Sequence, residues 1–403
     1  MLSFSEELKQ GRLLFDGSMG ALLSAMGHAS DHPELFNIDT PELIQSIHRR
    51  YIDAGANVVI TDSLGATPLR LRRTELCSRA AELTEAAVKN ARIAAGDRAL
   101  VALDIGPSGE FMQPSGRYTL QEMIDSFSVC AEAGAKAGAD FVLLETMTDV
   151  AECRAACLAA RKTGLPIAAS FTFENGRTLT GSSPECAALT LAAAGACAVG
   201  VNCSTGPEQM LAPLAAMRKV TPLPVVIQPN AGLPEIDADG KAHYRFSPED
   251  MLPHMKAILD AGAAAIGGCC GTTPEHIALF STLDLSSPAQ PAWDGTKYIC
   301  SARMYVSLDE ALNNTAEIED FEDLYDLEDE SAAILNLNSF SSAEEIEEAL
   351  IEAQIATNVP FIFRCCDPDI LEAALLNYPG VAAVYAPESC VPVCEKYGAI
   401  RID

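Results

Sequence analysis

Short apolar runs alternate eight times with amphipathic helical stretches between residues 12 and 285, and this alternation is the strongest constraint on the fold. Four of the helical stretches end at Gly55, Gly138, Gly195 and Gly262, which is typical of glycine C-caps that lead into the next strand. Eight strand–helix units over roughly 250–280 residues predict an α/β fold of the (β/α)8 TIM-barrel type. A doubly wound open sheet is the alternative, but its G-x-G-x-x-G fingerprint is missing after the first run. The runs predicted as strands are 13–15, 58–60, 100–103, 141–144, 167–171, 198–201, 225–227 and 263–266.

Polar residues follow most of these runs. In a TIM barrel the carboxyl ends of all eight strands lie on one face, and that face carries the active site. Residues that are distant in sequence are therefore expected to meet there. The residues at predicted strand ends are Asp16, Thr61-Asp62-Ser63, Glu145-Thr146, Asn202-Cys203-Ser204, Gln228-Pro229-Asn230 and Cys269-Cys270.

The segment from Ile266 to His276 contains two adjacent cysteines, Cys269 and Cys270, flanked by glycines. Thr-Pro-Glu follows and predicts a helix start, so the cysteines lie at a strand-to-helix turn. Neighbouring residues of a straight strand point to opposite sides, so the backbone must bend if both thiols are to reach one point. With Cys203 they would form a soft three-thiolate site for zinc, with a fourth position open. Core cysteines or a redox pair are the alternatives.

Composition narrows the class of protein. No apolar run approaches the roughly 20 residues that cross a bilayer, and residues 1–12 are polar, so we expect neither a membrane protein nor a signal peptide. The 14 cysteines have no regular spacing, which favours free thiols and a cytoplasmic location. A net charge of −29 disfavours nucleic acid and anionic membranes as partners.

Several of these motifs, in this order, resemble the homocysteine S-methyltransferase family, whose barrel is shared by cobalamin-dependent methionine synthase and betaine–homocysteine methyltransferase. The resemblance covers about residues 5–285. The motifs are Asp16-Gly17-Ser18-Met19-Gly20, Glu145-Thr146-Met147-Thr148-Asp149, Val201-Asn202-Cys203, Pro229-Asn230-Ala231-Gly232 and Gly267-Gly268-Cys269-Cys270-Gly271-Thr272.

The resemblance implies specific roles for residues of this chain. It implies a zinc ion held by Cys203, Cys269 and Cys270. It also implies that the amino-acid end of homocysteine is held by Asp16, Gly17, Ser18, Glu145 and Asn202. No catalytic side chain is expected beyond the metal, because a zinc-bound thiol is deprotonated and nucleophilic without a general base.

One position departs from the family pattern. The second strand commonly ends in Thr-Asn-Thr-Phe-Gly-Ala in the family, whereas this chain has Thr61-Asp62-Ser63-Leu64-Gly65-Ala66. The change adds a carboxylate, Asp62, near the expected pocket. No lysine ends a predicted strand, which disfavours a Schiff-base aldolase on the same fold.

The remainder of the chain differs in composition. Residues 1–285 are expected to form the zinc barrel, 286–300 a linker and 301–403 a small acidic α/β domain, since residues 300–403 carry 22 acidic and 4 basic side chains. The part 360–380 weakly resembles the pterin-binding barrel of methionine synthase. About 115 residues are too few for a second eight-stranded barrel, so we expect a reduced domain that has lost pterin binding.

The methyl donor is the least constrained part of the reaction. The chain has no Asp-x-His-x-x-Gly signature of a cobalamin-binding module. The expected donor is a methyl-corrinoid, such as methylcobalamin, on a separate partner protein. Betaine and methylsulfonium compounds are alternatives. A zinc-binding regulatory or storage protein is the non-catalytic alternative; it would need the three thiols but neither Asp16 nor Glu145.

Overall fold

The computed structural model describes residues 2–204, 206–236, 242–319, 321–327 and 329–402. It consists of an eight-stranded parallel barrel followed by a five-stranded parallel sheet with its own helices. The predicted fold class, a TIM barrel with a small C-terminal α/β domain, is therefore confirmed.

The barrel strands are hydrogen-bonded in one continuous parallel order that ends at the first and second strands. A bridge between Phe15 and Val58 joins these two, and the amide of Asp16 donates to the carbonyl of Val58 at 3.0 Å, so the ring closes. The barrel strands are β1 Leu13–Leu14, β2 Val58–Ile60, β3 Leu100–Ile105, β4 Phe141–Met147, β5 Ile167–Phe171, β6 Ala198–Cys203, β7 Val225–Pro229 and β10 Ala265–Ile266. A hairpin of β8 Pro234–Ile236 and β9 Ala242–Tyr244 lies between β7 and β10.

Helices surround the barrel and begin and end at the signals expected from the sequence. All four predicted C-cap glycines have positive φ, for example 100° at Gly138. Asp149 caps the helix after β4 by accepting a hydrogen bond from the amide of Ala151 at 2.9 Å. The helices are α1 Phe4–Gln10, α2 Met19–Ala25, α3 Phe36–Asp39, α4 Pro41–Asp53, α5 Pro68–Leu71, α6 Ala80–Ala95, α7 Leu120–Ala137, α8 Val150–Arg161, α9 Pro184–Ala194, α10 Leu211–Val220, α11 Pro248–Asp260 and α12 Pro274–Phe280.

The barrel interior is a packed apolar core at the end where the strands begin. It includes stacked rings of Phe4 and Phe141, 3.9 Å apart, with Phe15 against their edges. Because strand side chains alternate between the two faces, every second residue of each strand points inward. The inward positions above this core are polar, and they form the floor of a pocket at the carboxyl ends of the strands.

The C-terminal domain is an open sheet in the parallel order β13-β14-β15-β16-β17. Helices α14, α15 and α16 pack on one face, and a hairpin with α13 packs on the other. The first hairpin strand, β11, lies at the end of the stretch 286–300 for which a linker is expected. The elements are β11 Tyr298–Cys300, β12 Tyr305–Ser307, α13 Leu308–Asn313, β13 Thr315–Ile318, β14 Ala332–Asn336, α14 Ala343–Ala356, β15 Phe361–Arg364, α15 Pro368–Asn377, β16 Ala383–Tyr385, α16 Val391–Tyr397 and β17 Ile400–Ile402.

Arg154 of α8 connects the two parts of the structure. Its side chain is buried, and its guanidinium donates to the carbonyls of Leu375 and Leu376 at 2.6 Å each. These carbonyls belong to the last turn of α15, which has no intrahelical donor for them. Burial lowers the pKa of Arg154 to about 10, so the group stays charged at neutral pH. Within the described ranges, no helix is both long and apolar enough to span a membrane.

Candidate metal centre and substrate pocket

Three cysteine sulfurs meet at the carboxyl ends of β6 and β10. Cys203 is the last residue of β6, and Cys269 and Cys270 follow β10 in the turn before α12. The three sulfurs lie within 4.8 Å of one another, and Sγ of Cys203 is 4.0 Å from Sγ of Cys270. All three residues are half-buried, so the cluster is open to the pocket on one side.

A strained backbone aims Cys203 at this point. Cys203 and Ser204 have φ angles of 55° and 57°, in the left-handed region that non-glycine residues rarely occupy. The hydroxyl of Ser204 donates to the carbonyl of Asn202 at 3.1 Å and accepts from the amide of Phe173 at 2.8 Å. These two hydrogen bonds hold a conformation that costs on the order of 1–3 kcal/mol.

Glycines give the cysteine pair the close contacts that its turn requires. A Cβ atom at Gly268 would lie 2.1 Å from Oγ1 of Thr272, and one at Gly271 would lie 2.2 Å from the ring of Tyr244. Tyr244 belongs to the hairpin after β7. Burial, followed by the nearby thiols, of which Cys270 has the largest effect, raises the pKa of Tyr244 to about 12. The predicted bend is therefore present, and an aromatic ring covers one side of the thiol cluster.

The three thiols share negative charge unevenly. Hydrogen bonds from Cys269 and then Cys270 lower the pKa of Cys203 to about 3. The contact with Cys203, followed by burial, raises the pKa of Cys270 to about 12, although the contact with Cys269 acts in the opposite direction. One proton is thus lost easily and the others are held. A divalent cation among the sulfurs would be needed to ionise all three.

The opposite half of the pocket is lined by carboxyl groups. Phe141 and Leu143 of β4 point into the barrel core, so Glu145 is the next inward residue. The same alternation brings Asp62 inward after β2 and Asp104 inward on β3. All three are at least nine-tenths buried, with exposed fractions of 8%, 9% and 5%. Thiols on β6 and β10 therefore face carboxyls on β2, β3 and β4.

Glu145 is held by Asn202. A register shift interrupts β4 between Leu144 and Met147, and Thr146 has a φ of 58°. The side-chain amide of Asn202 donates to Oε2 of Glu145 at 3.3 Å, and its oxygen accepts from the amide of Thr146 at 2.9 Å. The irregular segment is thereby fixed with the carboxyl group in the pocket. Burial, followed by the neighbouring Cys203, raises the pKa of Glu145 to about 7.

Asp16, Gly17 and Ser18 form the turn between β1 and α2. Oδ2 of Asp16 accepts from the amide of Ile60 at 3.0 Å, whereas its buried Oδ1 has no partner in the described part of the chain. A Cβ atom at Gly17 would lie 2.7 Å from Oγ1 of Thr272, so only glycine fits. The amide of Ser18 donates to the carbonyl of Thr272 at 3.3 Å. The turn is thus packed against the cysteine segment.

The donor set fits zinc. Zinc binds thiolates at about 2.3 Å in tetrahedral geometry, which places two bound sulfurs about 3.8 Å apart. The observed 4.0 Å between Cys203 and Cys270 is within a few tenths of an ångström of that spacing. Among the residues that the structure describes, no fourth ligand joins the three thiols. Three soft ligands of this kind are typical of a site that exchanges its last ligand.

Comparison with known proteins agrees with this geometry. The sequence model of the homocysteine S-methyltransferase family matches residues 13–282. The chain belongs to this family. Among solved structures, the metallated form of the homocysteine methyltransferase MmuM from Escherichia coli is similar at a TM-score of 0.56 and 27% identity, over 69% of this chain and 98% of that one.

Relatives known from sequence are larger. Methionine synthase of Mycobacterium leprae is 31% identical over 293 residues, and that of Mycobacterium tuberculosis is 30% identical over 290 residues. The matches cover 68% and 67% of this chain, respectively, but only 24% of each relative. The chain therefore matches only about a quarter of the length of these methionine synthases.

The structure brings together every site residue that the sequence singled out. The metal-binding and substrate-binding assignments of these residues stay predictions. Sequence reasoning missed Asp104, because the predicted third strand was ended at Leu103, whereas β3 continues to Ile105. It also missed Tyr244, and Glu34, whose charge acts on the carboxyl group of Asp62. The inward alternation Ala102–Asp104 would have identified Asp104; the sequence around Tyr244 and Glu34 carries no comparable signal.

Proposed function

We propose that this chain is a zinc-dependent homocysteine S-methyltransferase, and that it forms methionine by methyl transfer to the sulfur of homocysteine. One observation carries the proposal. Three thiols converge on one side of the pocket, and buried carboxyls face them from the neighbouring strands. This arrangement suits a substrate with a sulfur at one end and an ammonium at the other.

Cys203, Cys269 and Cys270 are the proposed zinc ligands. When bound, zinc supplies the positive charge that keeps the substrate sulfur deprotonated at neutral pH, where a free thiol is largely protonated. The strained turn at Cys203 and the glycines around the cysteine pair fix the three sulfurs in advance, so that little reorganisation is needed on binding. No side chain is assigned as a general acid or base.

The carboxyl half of the pocket is the proposed site for the amino-acid end of homocysteine. Asp16 and Glu145 are assigned to the ammonium, because both are buried at the carboxyl ends of barrel strands and both belong to the family motifs. Asn202 holds Glu145 in place, and the Gly17-Ser18 turn forms the adjacent wall. A charge-assisted hydrogen bond of this kind contributes roughly 1.5–3 kcal/mol.

For the donor we propose a methyl-corrinoid carried by a separate protein. The support is the methionine synthase resemblance of the barrel, together with the weak pterin-barrel resemblance of the C-terminal region. Betaine or a methylsulfonium compound is the alternative. The proposed division into residues 1–285, 286–300 and 301–403, and the cytoplasmic location expected from the free thiols, stay part of this proposal.

A methyl-transfer assay tests the function. The zinc-loaded full chain is incubated with homocysteine and, in turn, a methyl-corrinoid protein, betaine and a methylsulfonium donor, and methionine is quantified. Methionine formation with one donor class identifies the donor. No methionine with any donor, in protein that contains one zinc per chain, would favour the non-catalytic zinc-binding alternative.

A further inference from the structure

No basic group is among the neighbours that act most strongly on the thiol cluster, within the part of the chain that the structure describes. These neighbours are the thiols themselves, uncharged hydrogen-bonding groups and the carboxyl group of Glu145. Three thiolates carry one negative charge more than a zinc ion neutralises, and a substrate thiolate would add another. Hydrogen bonds from neutral donors are therefore the means by which the protein can stabilise this charge.

Two of the three sulfurs have an asparagine amide beside them. Nδ2 of Asn202 lies 4.0 Å from Sγ of Cys269. The side chain of Asn230 hydrogen-bonds to Cys203, and its Oδ1 accepts from the amide of Cys270 at 3.0 Å. The hydrogen-bonding partners that act most strongly on the sulfur of Cys270 are the other two thiols. These two asparagines therefore leave that sulfur to another neutral donor.

Tyr244 lies beside Cys270. A Cβ atom at Gly271 would lie 2.2 Å from Cγ of Tyr244 and 2.5 Å from both of its Cδ atoms, so the ring packs on the residue that follows Cys270. The thiols that act on the tyrosine hydroxyl are Cys270, Cys203 and Cys269, in falling order. The ring therefore extends from the cysteine turn towards the sulfurs, and its hydroxyl is directed at the cluster.

The strand that carries Tyr244 is fixed to the turn of the cysteine pair. The amide of Phe246, two residues after Tyr244, donates to the carbonyl of Ala231 at 2.9 Å. The amide of Ala231 in turn donates to the carbonyl of Cys270 at 2.9 Å. Because these backbone hydrogen bonds hold the hairpin in place, the hydroxyl can meet a sulfur with little loss of conformational entropy when a metal binds.

We propose that Tyr244 is a positioning residue of the metal centre, and that its hydroxyl donates a hydrogen bond to the sulfur of Cys270 when the three thiols bind zinc. An ordinary tyrosine keeps its proton up to about pH 10, so it can donate throughout the neutral range. The inference rests on the proposed zinc ligands and adds to them a contact from a residue outside the family motifs.

A hydrogen bond to a metal-bound thiolate has two consequences. It stabilises the ionised sulfur, so the site binds its metal more tightly. It also withdraws electron density from that sulfur, so less negative charge passes to the metal. Loss of such an outer contact typically lowers metal affinity about 10- to 100-fold.

Cobalt(II) bound to the full chain in place of zinc tests the inference, because its absorption contains a charge-transfer band from sulfur to metal. A hydrogen bond on the sulfur raises the energy of this transition. Tyr244→Phe keeps the ring against Gly271 and removes only the hydroxyl. The band should shift to longer wavelength in this variant, and cobalt affinity, measured against a competing chelator, should fall about 10- to 100-fold.

Tyr305→Phe is the matched control, because that hydroxyl donates to Oε1 of Glu185 at 3.3 Å and not to the thiols. It should change neither the band nor the affinity. An unshifted band in Tyr244→Phe, with or without a loss of affinity, would overturn the inference while leaving the zinc assignment intact. A native chain that binds cobalt without a sulfur charge-transfer band, or binds none, would overturn both.

Discussion

Replacing Cys203 by alanine gives the sharpest test of the metal centre. Alanine keeps the Cβ atom, so the backbone strain at φ 55° is unchanged and the variant removes only the sulfur. Apparent zinc-binding free energies of structural sites are about 10–16 kcal/mol. Divided over four ligands, one thiolate contributes roughly 2.5–4 kcal/mol. The variant should therefore bind zinc about 70- to 900-fold more weakly.

The assay equilibrates the protein with a competing chelator and then measures its zinc content by elemental analysis. A second readout is the shift in melting temperature that zinc produces. The native chain should retain one zinc and the Cys203→Ala variant should retain little, with a correspondingly smaller thermal shift. Cys366→Ala is the matched control, because that cysteine is exposed and lies in the C-terminal domain. Full zinc content in Cys203→Ala would refute the three-thiolate assignment.

Three further outcomes are expected. Glu145→Gln should weaken homocysteine binding roughly ten- to a hundred-fold while zinc is retained, and an unchanged titration would show that the carboxyl group has another role. Arg154→Met should lower the free energy of unfolding in urea by about 1–3 kcal/mol, because the carbonyls of Leu375 and Leu376 lose their hydrogen-bond donors. Removal of a buried charge offsets part of this loss. Unchanged stability would show that the contact is not needed to dock the C-terminal domain. A chain ending at Leu285 should keep its zinc but melt at a lower temperature, and loss of zinc would contradict this expectation. Isolated residues 286–403 should bind no methyltetrahydrofolate in equilibrium dialysis, and tight folate binding would contradict that.

The sequence predicts the barrel well because its signals are local. Each strand–helix unit has an apolar run, a helix and a glycine C-cap, and the closed barrel then brings the strand ends together. Because both residues end barrel strands, the sequence assigns Cys203 and Cys269 to one site although 66 positions separate them. The left-handed backbone at Cys203 is not predictable in this way, since the hydrogen bonds of Ser204 that hold it depend on a neighbouring strand.

Contacts between distant segments account for what the sequence does not reveal. Glu34 reaches Asp62 from a loop whose path depends on the packing of the barrel mouth. Arg154 reads as an ordinary surface residue of an amphipathic helix, because its partners are backbone carbonyls more than 200 residues away. Carbonyl groups are present at every residue, so no residue type marks them. The docking of the C-terminal domain therefore has no sequence signature at this contact.

The placement of the C-terminal domain bears on which half of the pocket it can influence. A cleft lies between this domain and the loops after β3, β4 and β5, with Gln113, Asp149 and Thr180 on the barrel side. Arg303 crosses the cleft and donates to the carbonyl of Thr180 at 2.9 Å. These loops belong to the side of the barrel that carries Asp104 and Glu145, whereas the thiols lie at the ends of β6 and β10. Removal of the domain should consequently leave zinc affinity unchanged, and any effect on binding should fall on the amino-acid end of the substrate.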